Sequence, residues 1–207
     1  MQTTNKNIQV ISILTIFFFI LFLFFSKRAY SDDFSKRAYS DDLHSVKFEK
    51  NNFTKYLEIY EKPKNIQDLY ITNQDREKIT ISKFSNKLTV INIWATWCLP
   101  CIEELPALND FIKSNNTNNK DSNYQFITLS VDIDGTKRVL PFLKKMKIFS
   151  FPVYYDPKSE LLKELKISRL PTTIFLDLDG GVIASLQGTF TWKLEETYKL
   201  LQKIYLN

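Results

Sequence analysis

A chain of 207 residues holds one domain of ordinary size and something besides. Its net charge of +5 is spread along the sequence: residues 1–42 carry five Lys or Arg against four Asp, and the remainder forms no block of like charge. Without basic–aromatic alternation either, nothing resembles a nucleic-acid footprint.

The first element is an uncharged apolar run, Ile8–Phe25, whose 18 residues would span about 27 Å as a helix, near the thickness of a hydrocarbon core. It reads as a single transmembrane anchor after a tail of residues 1–7. A cleaved signal peptide is the competing reading, with Ala29-Tyr30-Ser31 as a small-x-small site. The basic residues Lys27, Arg28, Lys36 and Arg37 follow the run, so a positive-inside count would keep the domain in the cytoplasm. We nevertheless expect export, because long domains translocate largely regardless of charge.

Residues 26–62 read as a linker opening with a nine-residue tandem repeat, Ser26–Phe34 and Ser35–Leu43. Eighteen residues of tether have an end-to-end distance of roughly 23 Å. Within His44–Lys62, Phe53, Tyr56, Leu57 and Tyr60 fall at helical spacing, so a short helix on the domain edge is expected. The domain proper is taken as residues 63–207.

Ile66–Thr72 and Lys78–Ile81 alternate around Asn73–Arg76 and predict a β-hairpin. Leu88–Ala95 predicts a buried strand. A helix should run from about Leu99 to Ser114, offset at Pro106, followed by a polar loop over Asn115–Asn123. Next come a strand at Tyr124–Asp132, a helix at Thr136–Lys147, a short strand at Phe151–Tyr155 and a helix at Ser159–Lys166. Thr173–Asp177 and Val182–Gln187 predict a second hairpin around Asp179-Gly180. A closing helix over Trp192–Tyr205 should bury Leu194, Tyr198, Leu201 and Tyr205. The alternation predicts an α/β fold with a mixed sheet between helices.

Cys98 and Cys101, the only cysteines, stand two residues apart between the apolar strand and the following helix. Thiol–disulfide exchange needs a thiolate to attack and a second thiol to resolve. Cys98, ahead of the helix and facing its unpaired N–H groups, is the expected attacker, and Cys101 the resolver. Pro100 removes an N–H that the first turn would leave unpaired. A structural disulfide would close too small a loop to contribute much. A zinc site lacks ligands, since the only histidine is His44.

The run Asn92-Ile-Trp-Ala-Thr-Trp-Cys-Leu-Pro-Cys-Ile-Glu-Glu-Leu-Pro106 closely resembles the thioredoxin-like proteins of the TlpA/ResA group. Ser130–Asp134, Phe151–Val153 and Leu170–Gly180 extend the resemblance over about residues 66–205. It implies a thioredoxin fold with an N-terminal β-hairpin, carried on a membrane anchor and facing the periplasm from the inner membrane. It implies reduction of disulfides in exported proteins, as in cytochrome c or respiratory-oxidase copper-site maturation, by a domain recharged from a membrane electron donor. No cofactor beyond the cysteine pair is expected. Pro171 matches the family's cis-proline, leaving Leu170 to pair with an extended substrate. Glu104 matches the acid beneath the active site, where a raised pKa would let it shuttle the proton of Cys101. Trp97 is implied as a partly exposed wall of the site, and Trp94 as core. The alternatives are a copper-handling metallochaperone partner, which would need a further histidine, and a peroxiredoxin-type peroxidase, which needs Thr-x-x-Cys where Thr96 is only two residues before Cys98.

Overall fold

The computed structural model describes residues 56–118 and 124–205. The expected anchor, the tandem repeat and His44 lie outside the described residues; within them no helix is long and apolar enough to cross a membrane.

One mixed sheet of eight strands runs through the described residues in the order β1-β8-β7-β4-β5-β6-β2-β3. The strands are β1 (Leu57–Lys64), β2 (Tyr70–Thr72), β3 (Lys78–Thr80), β4 (Leu88–Trp94), β5 (Tyr124–Ser130), β6 (Val153–Tyr155), β7 (Thr172–Leu176) and β8 (Val182–Gln187). The helices are α1 (Leu99–Asn118), α2 (Thr136–Met146), α3 (Glu160–Glu164) and α4 (Leu194–Tyr205). Parallel pairing joins β4 to β5 and β5 to β6, and antiparallel pairing joins β4 to β7, β7 to β8 and β8 to β1. This is the thioredoxin-like α/β arrangement, and the first predicted hairpin is present as β2 and β3.

Strand β4 is central because its sequence suits burial on both faces: Leu88-Thr-Val-Ile-Asn-Ile-Trp94 is buried at every position. Trp94 is wholly enclosed, its ring 5.9 Å from that of Phe142.

Among the described residues no α-helix precedes Pro63; Phe53, the first of the expected stripe, lies outside them. Leu57–Lys64 is instead an edge strand, pairing Leu57 with Leu186 and Ile59 with Ala184. Between Ile59 and Lys64 the register shifts, so the half-buried positions fall at Leu57, Tyr60 and Lys64. That three-then-four spacing imitates a helical stripe, although a bulged strand produces it. The Tyr60 hydroxyl donates to Ser185 Oγ at 2.8 Å, and the Lys64 ammonium lies 3.6 Å from the Tyr60 ring centroid. The sheet therefore begins at Leu57, ahead of the Pro63 boundary.

Helix α1 continues through Pro106 and on to Asn118, past the expected end at Ser114. Asn115, expected in a loop, is buried and accepts the Tyr198 hydroxyl at 2.7 Å, so its polarity is satisfied by α4. In α4 the buried residues are Thr197, Leu200, Leu201 and Ile204, whereas Leu194 and Tyr205 are each 47% exposed. The helix is as expected, but its buried face is rotated. Trp192 lies before the helix at φ 53°, buried against Phe190 and Phe111 (ring centroids 5.2 and 5.9 Å), and takes the core position assigned to Leu194.

Candidate active site

Strand β4 ends at Trp94, and the chain turns through Ala95–Cys98 before entering α1. The Cys98 N–H donates to the Ala95 carbonyl at 3.2 Å, closing the turn, and the Ile102 N–H donates to the Cys98 carbonyl at 3.1 Å, opening the helix. Cys98 is thus the N-cap. The Cys101 N–H points at Cys98 Sγ, 3.3 Å away, in the way a helix N–H meets a serine oxygen at a cap. Of the second and third helical amides that a cap side chain reaches, Pro100 removes the second, leaving the Cys101 N–H to meet that sulfur. The two cysteines are joined as a disulfide with Cα atoms 5.3 Å apart.

Of the two cysteines Cys98 alone retains any exposure, 6%, and Cys101 has none. The neighbours of Cys98 along the chain, Trp97 and Leu99, project into solvent with 66% and 65% exposure.

Glu104 lies one helical turn beyond Cys101 and is buried. Asn92 Nδ2 donates to its Oε1 at 2.8 Å, and the Phe190 N–H donates to its Oε2 at 2.9 Å. Burial dominates and pushes its pKa from 4.5 up to about 7. The Phe190 N–H, the Asn92 amide and the nearby Trp192 indole pull the other way. The indole N–H does not meet hydrogen-bond geometry with any partner, so its pull is through proximity. Near neutral pH both protonation states of Glu104 are populated.

The Leu170–Pro171 bond is cis. Register places it: Ile93 pairs with Thr172, so Pro171 falls opposite Trp94, where β4 gives way to the cysteine turn. The Pro171 carbonyl accepts the Gly188 N–H at 2.8 Å, and Leu170 is half-buried. Cys98, Cys101, Glu104, Trp97, Leu170 and Pro171 therefore gather at one end of the sheet. No group of three or more His, Cys, Asp or Glu able to hold a metal occurs among the described residues.

Asn92 stands where thioredoxin carries an acid in the strand before the cysteines, which already points to Glu104 as the proton-handling group. Two contributors carry no signal of their own in the sequence: Phe190 contributes its backbone N–H, and Asp132, whose carboxylate accepts the Thr96 N–H at 2.8 Å, stands inside a longer motif with nothing to single it out.

The Redoxin family pattern matches residues 51–201, most of the chain and all of this site. The chain belongs to the redoxin family. Within it, this redoxin is 32% identical over 152 residues to Thiol-disulfide oxidoreductase ResA of Bacillus thuringiensis subsp. konkukian (strain 97-27), covering 73% of the chain and 83% of the relative. The fold matches the DsbF homologue from Corynebacterium diphtheriae with a TM-score of 0.56 at 19% identity, over 72% of this chain and 92% of that one. StoA from Bacillus subtilis matches with a TM-score of 0.50 at 24% identity, over 66% and 94%. This redoxin is a ResA/TlpA-like thiol–disulfide oxidoreductase whose redox centre is the Cys98–Cys101 pair.

Proposed function

We propose that this redoxin reduces disulfides in exported proteins, with Cys98 as nucleophile, Cys101 as resolving thiol and Glu104 as proton acceptor. The Cys98 thiolate attacks one sulfur of a client disulfide, a mixed disulfide forms, and the first client thiolate leaves. Cys101 gives its proton to the Glu104 carboxylate and attacks Cys98 Sγ; the second client thiolate leaves, and both client thiolates take up protons. The client gains two electrons and the enzyme closes its own disulfide. A carboxyl with a pKa of about 7 suits this task, since it accepts and returns a proton at neutral pH. Trp97 and Leu170 border the client, and Pro171 shapes the backbone edge along which an extended segment lies.

The observation that carries the reductive direction is the burial of an acid, Glu104, one turn from the pair. Strong oxidants of this class stabilise their reduced thiolate. Here the residues between the cysteines, Leu99 and Pro100, are uncharged, and ionised Glu104 opposes a thiolate. That favours the disulfide and makes the reduced pair a good donor. The uncharged run Ile8–Phe25 supports a single-pass anchor. The resemblance, against the basic residues that follow the run, is what favours an inner-membrane anchor with the domain on the periplasmic side, re-reduced by a membrane thiol donor. Cytochrome c or oxidase copper-site precursors are the client class that the resemblance favours. The deciding measurement is the reduction potential: a value towards about −270 mV fits a reductase, and one near about −120 mV would overturn it. Exchange rate against pH for Glu104→Gln tests the acid, and an unchanged profile would remove it from the mechanism.

A further inference from the structure

Strand β5 hands its end to the cysteine turn. The Val131 N–H donates to the Trp94 carbonyl at 3.0 Å, adding one rung beyond the β4–β5 ladder, and the next residue is Asp132. Its carboxylate is 1% exposed and is spent on two residues. Oδ2 accepts the Thr96 N–H at 2.8 Å and the Ser130 hydroxyl at 2.9 Å, while Oδ1 accepts the Thr96 hydroxyl at 2.6 Å. The Asp132 N–H donates back to Ser130 Oγ at 3.1 Å. No lysine or arginine forms an ion pair with it among the described residues.

Burying a carboxylate against neutral donors alone is costly, so what it supplies here must be specific. An all-acceptor group engages both donors of Thr96 at once. Thr96 is the second residue of the Ala95–Cys98 turn, two positions before Cys98. Fixing its N–H and hydroxyl fixes the direction in which the chain leaves for Cys98. The Cys98 Sγ must then sit within reach of the Cys101 N–H, 3.3 Å away, which is the donor that would hold a thiolate.

We propose that Asp132 is a positioning residue for thiol–disulfide exchange, acting through Thr96 to hold Cys98 at the mouth of α1. It acts from the β5 side of β4, and Glu104, the other buried acid of the site, is untouched by the changes that test it. The proposal rests on Cys98 being the attacking thiol.

The experiment alkylates the reduced full chain with iodoacetamide across about pH 5 to 10, maps which sulfur reacts, and records thermal unfolding alongside. Thr96→Ala and Asp132→Ala should each loosen the Cys101 N–H from the Cys98 thiolate and move the labelling midpoint of Cys98 about one pH unit higher, which slows labelling at neutral pH up to about tenfold. Asp132→Asn keeps an acceptor for the Thr96 N–H and lets the Thr96 hydroxyl turn to accept, so it should return to within about threefold of wild type. Lower thermal stability with unaltered labelling in Thr96→Ala and Asp132→Ala would leave Asp132 a purely structural role and overturn the proposal. If Asp132→Ala fails to fold, Thr96→Ala decides, and a wild-type profile there overturns it equally. Asp132→Asn as impaired as Asp132→Ala would make charge, not held geometry, the active property, against the proposal. Labelling at Cys101 first would sink the assignment of Cys98 and the proposal with it, whereas labelling at Cys98 with unaltered rates sinks only the latch.

Discussion

Replacing Glu104 by Gln isolates what an ionisable group costs this fold. The carboxyl moves from an ordinary 4.5 to about 7 on folding, chiefly through burial. Between those values the native protein binds more protons than the unfolded chain, so stability falls as pH rises. The contribution is intact below about pH 4.5 and lost as pH climbs through 7. At about 1.4 kcal/mol for each pH unit separating the two values, ionised Glu104 costs the native state about 3 kcal/mol. The glutamine amide cannot ionise; its oxygen can accept the Phe190 N–H while Asn92, turned over, accepts its NH₂ through Oδ1, which has no other hydrogen-bond partner. Whatever this rearrangement costs is independent of pH and drops out of the comparison. Urea unfolding of oxidised wild type and Glu104→Gln at about pH 4 and about pH 9 should therefore show the stability difference moving by about 3 kcal/mol in favour of the variant at the higher pH. Parallel profiles would refute the argument, because they would mean that Glu104 titrates alike in both states.

Other outcomes follow from the same geometry. Asn92→Leu removes the donor to Glu104 Oε1, so the carboxyl should titrate higher still, visible as an upward shift in the acid limb of the exchange rate. Cys101→Ser should accumulate a mixed disulfide at Cys98, readable by mass spectrometry, whereas Cys98→Ser should form none. Asp156→Ala strips both side-chain acceptors from the start of α3, where the Glu160 and Leu161 N–H groups donate at 3.0 and 2.9 Å, and should cost about 1–2 kcal/mol in urea unfolding. Gly181→Ala would put a Cβ 2.7 Å from Pro63 Cβ, and should cost about 1–3 kcal/mol with amide protection lost first in β1.

What could be read from the chain was local. The unbroken apolar run of β4, the cysteines at a helix mouth and the alternating hairpin segments each carry their signal within a few residues. The site residues read that way, Cys98 and Cys101, belong to one strand–turn–helix unit; Glu104 and Pro171 are pointed to by the resemblance alone. Contacts made by folding were invisible. The Phe190 N–H reaches Glu104 from 86 residues away, and Asp132 reaches Thr96 from 36. The rotation of α4 depends on Trp192 filling space that no periodicity of the helix records. Strand β1 escapes a local reading for a different reason: its bulge changes the period, and the missing information is that β8 needs a partner along its outer edge.

That edge strand also has a practical bearing. Leu57 pairs at the level of Leu186, the next residue along β8 pairs with Thr172, and Arg169 stacks its guanidinium 5.1 Å from the Tyr56 ring centroid. The polypeptide thus joins the sheet beside the catalytic end, whereas Ile204 and Tyr205 lie with Pro63 and Asp179 at the other. A bead or fluorophore attached at Tyr205 would sit at the end of the sheet away from the cysteine pair, whereas the same cargo spliced immediately ahead of Tyr56 would sit on the side where the pair lies.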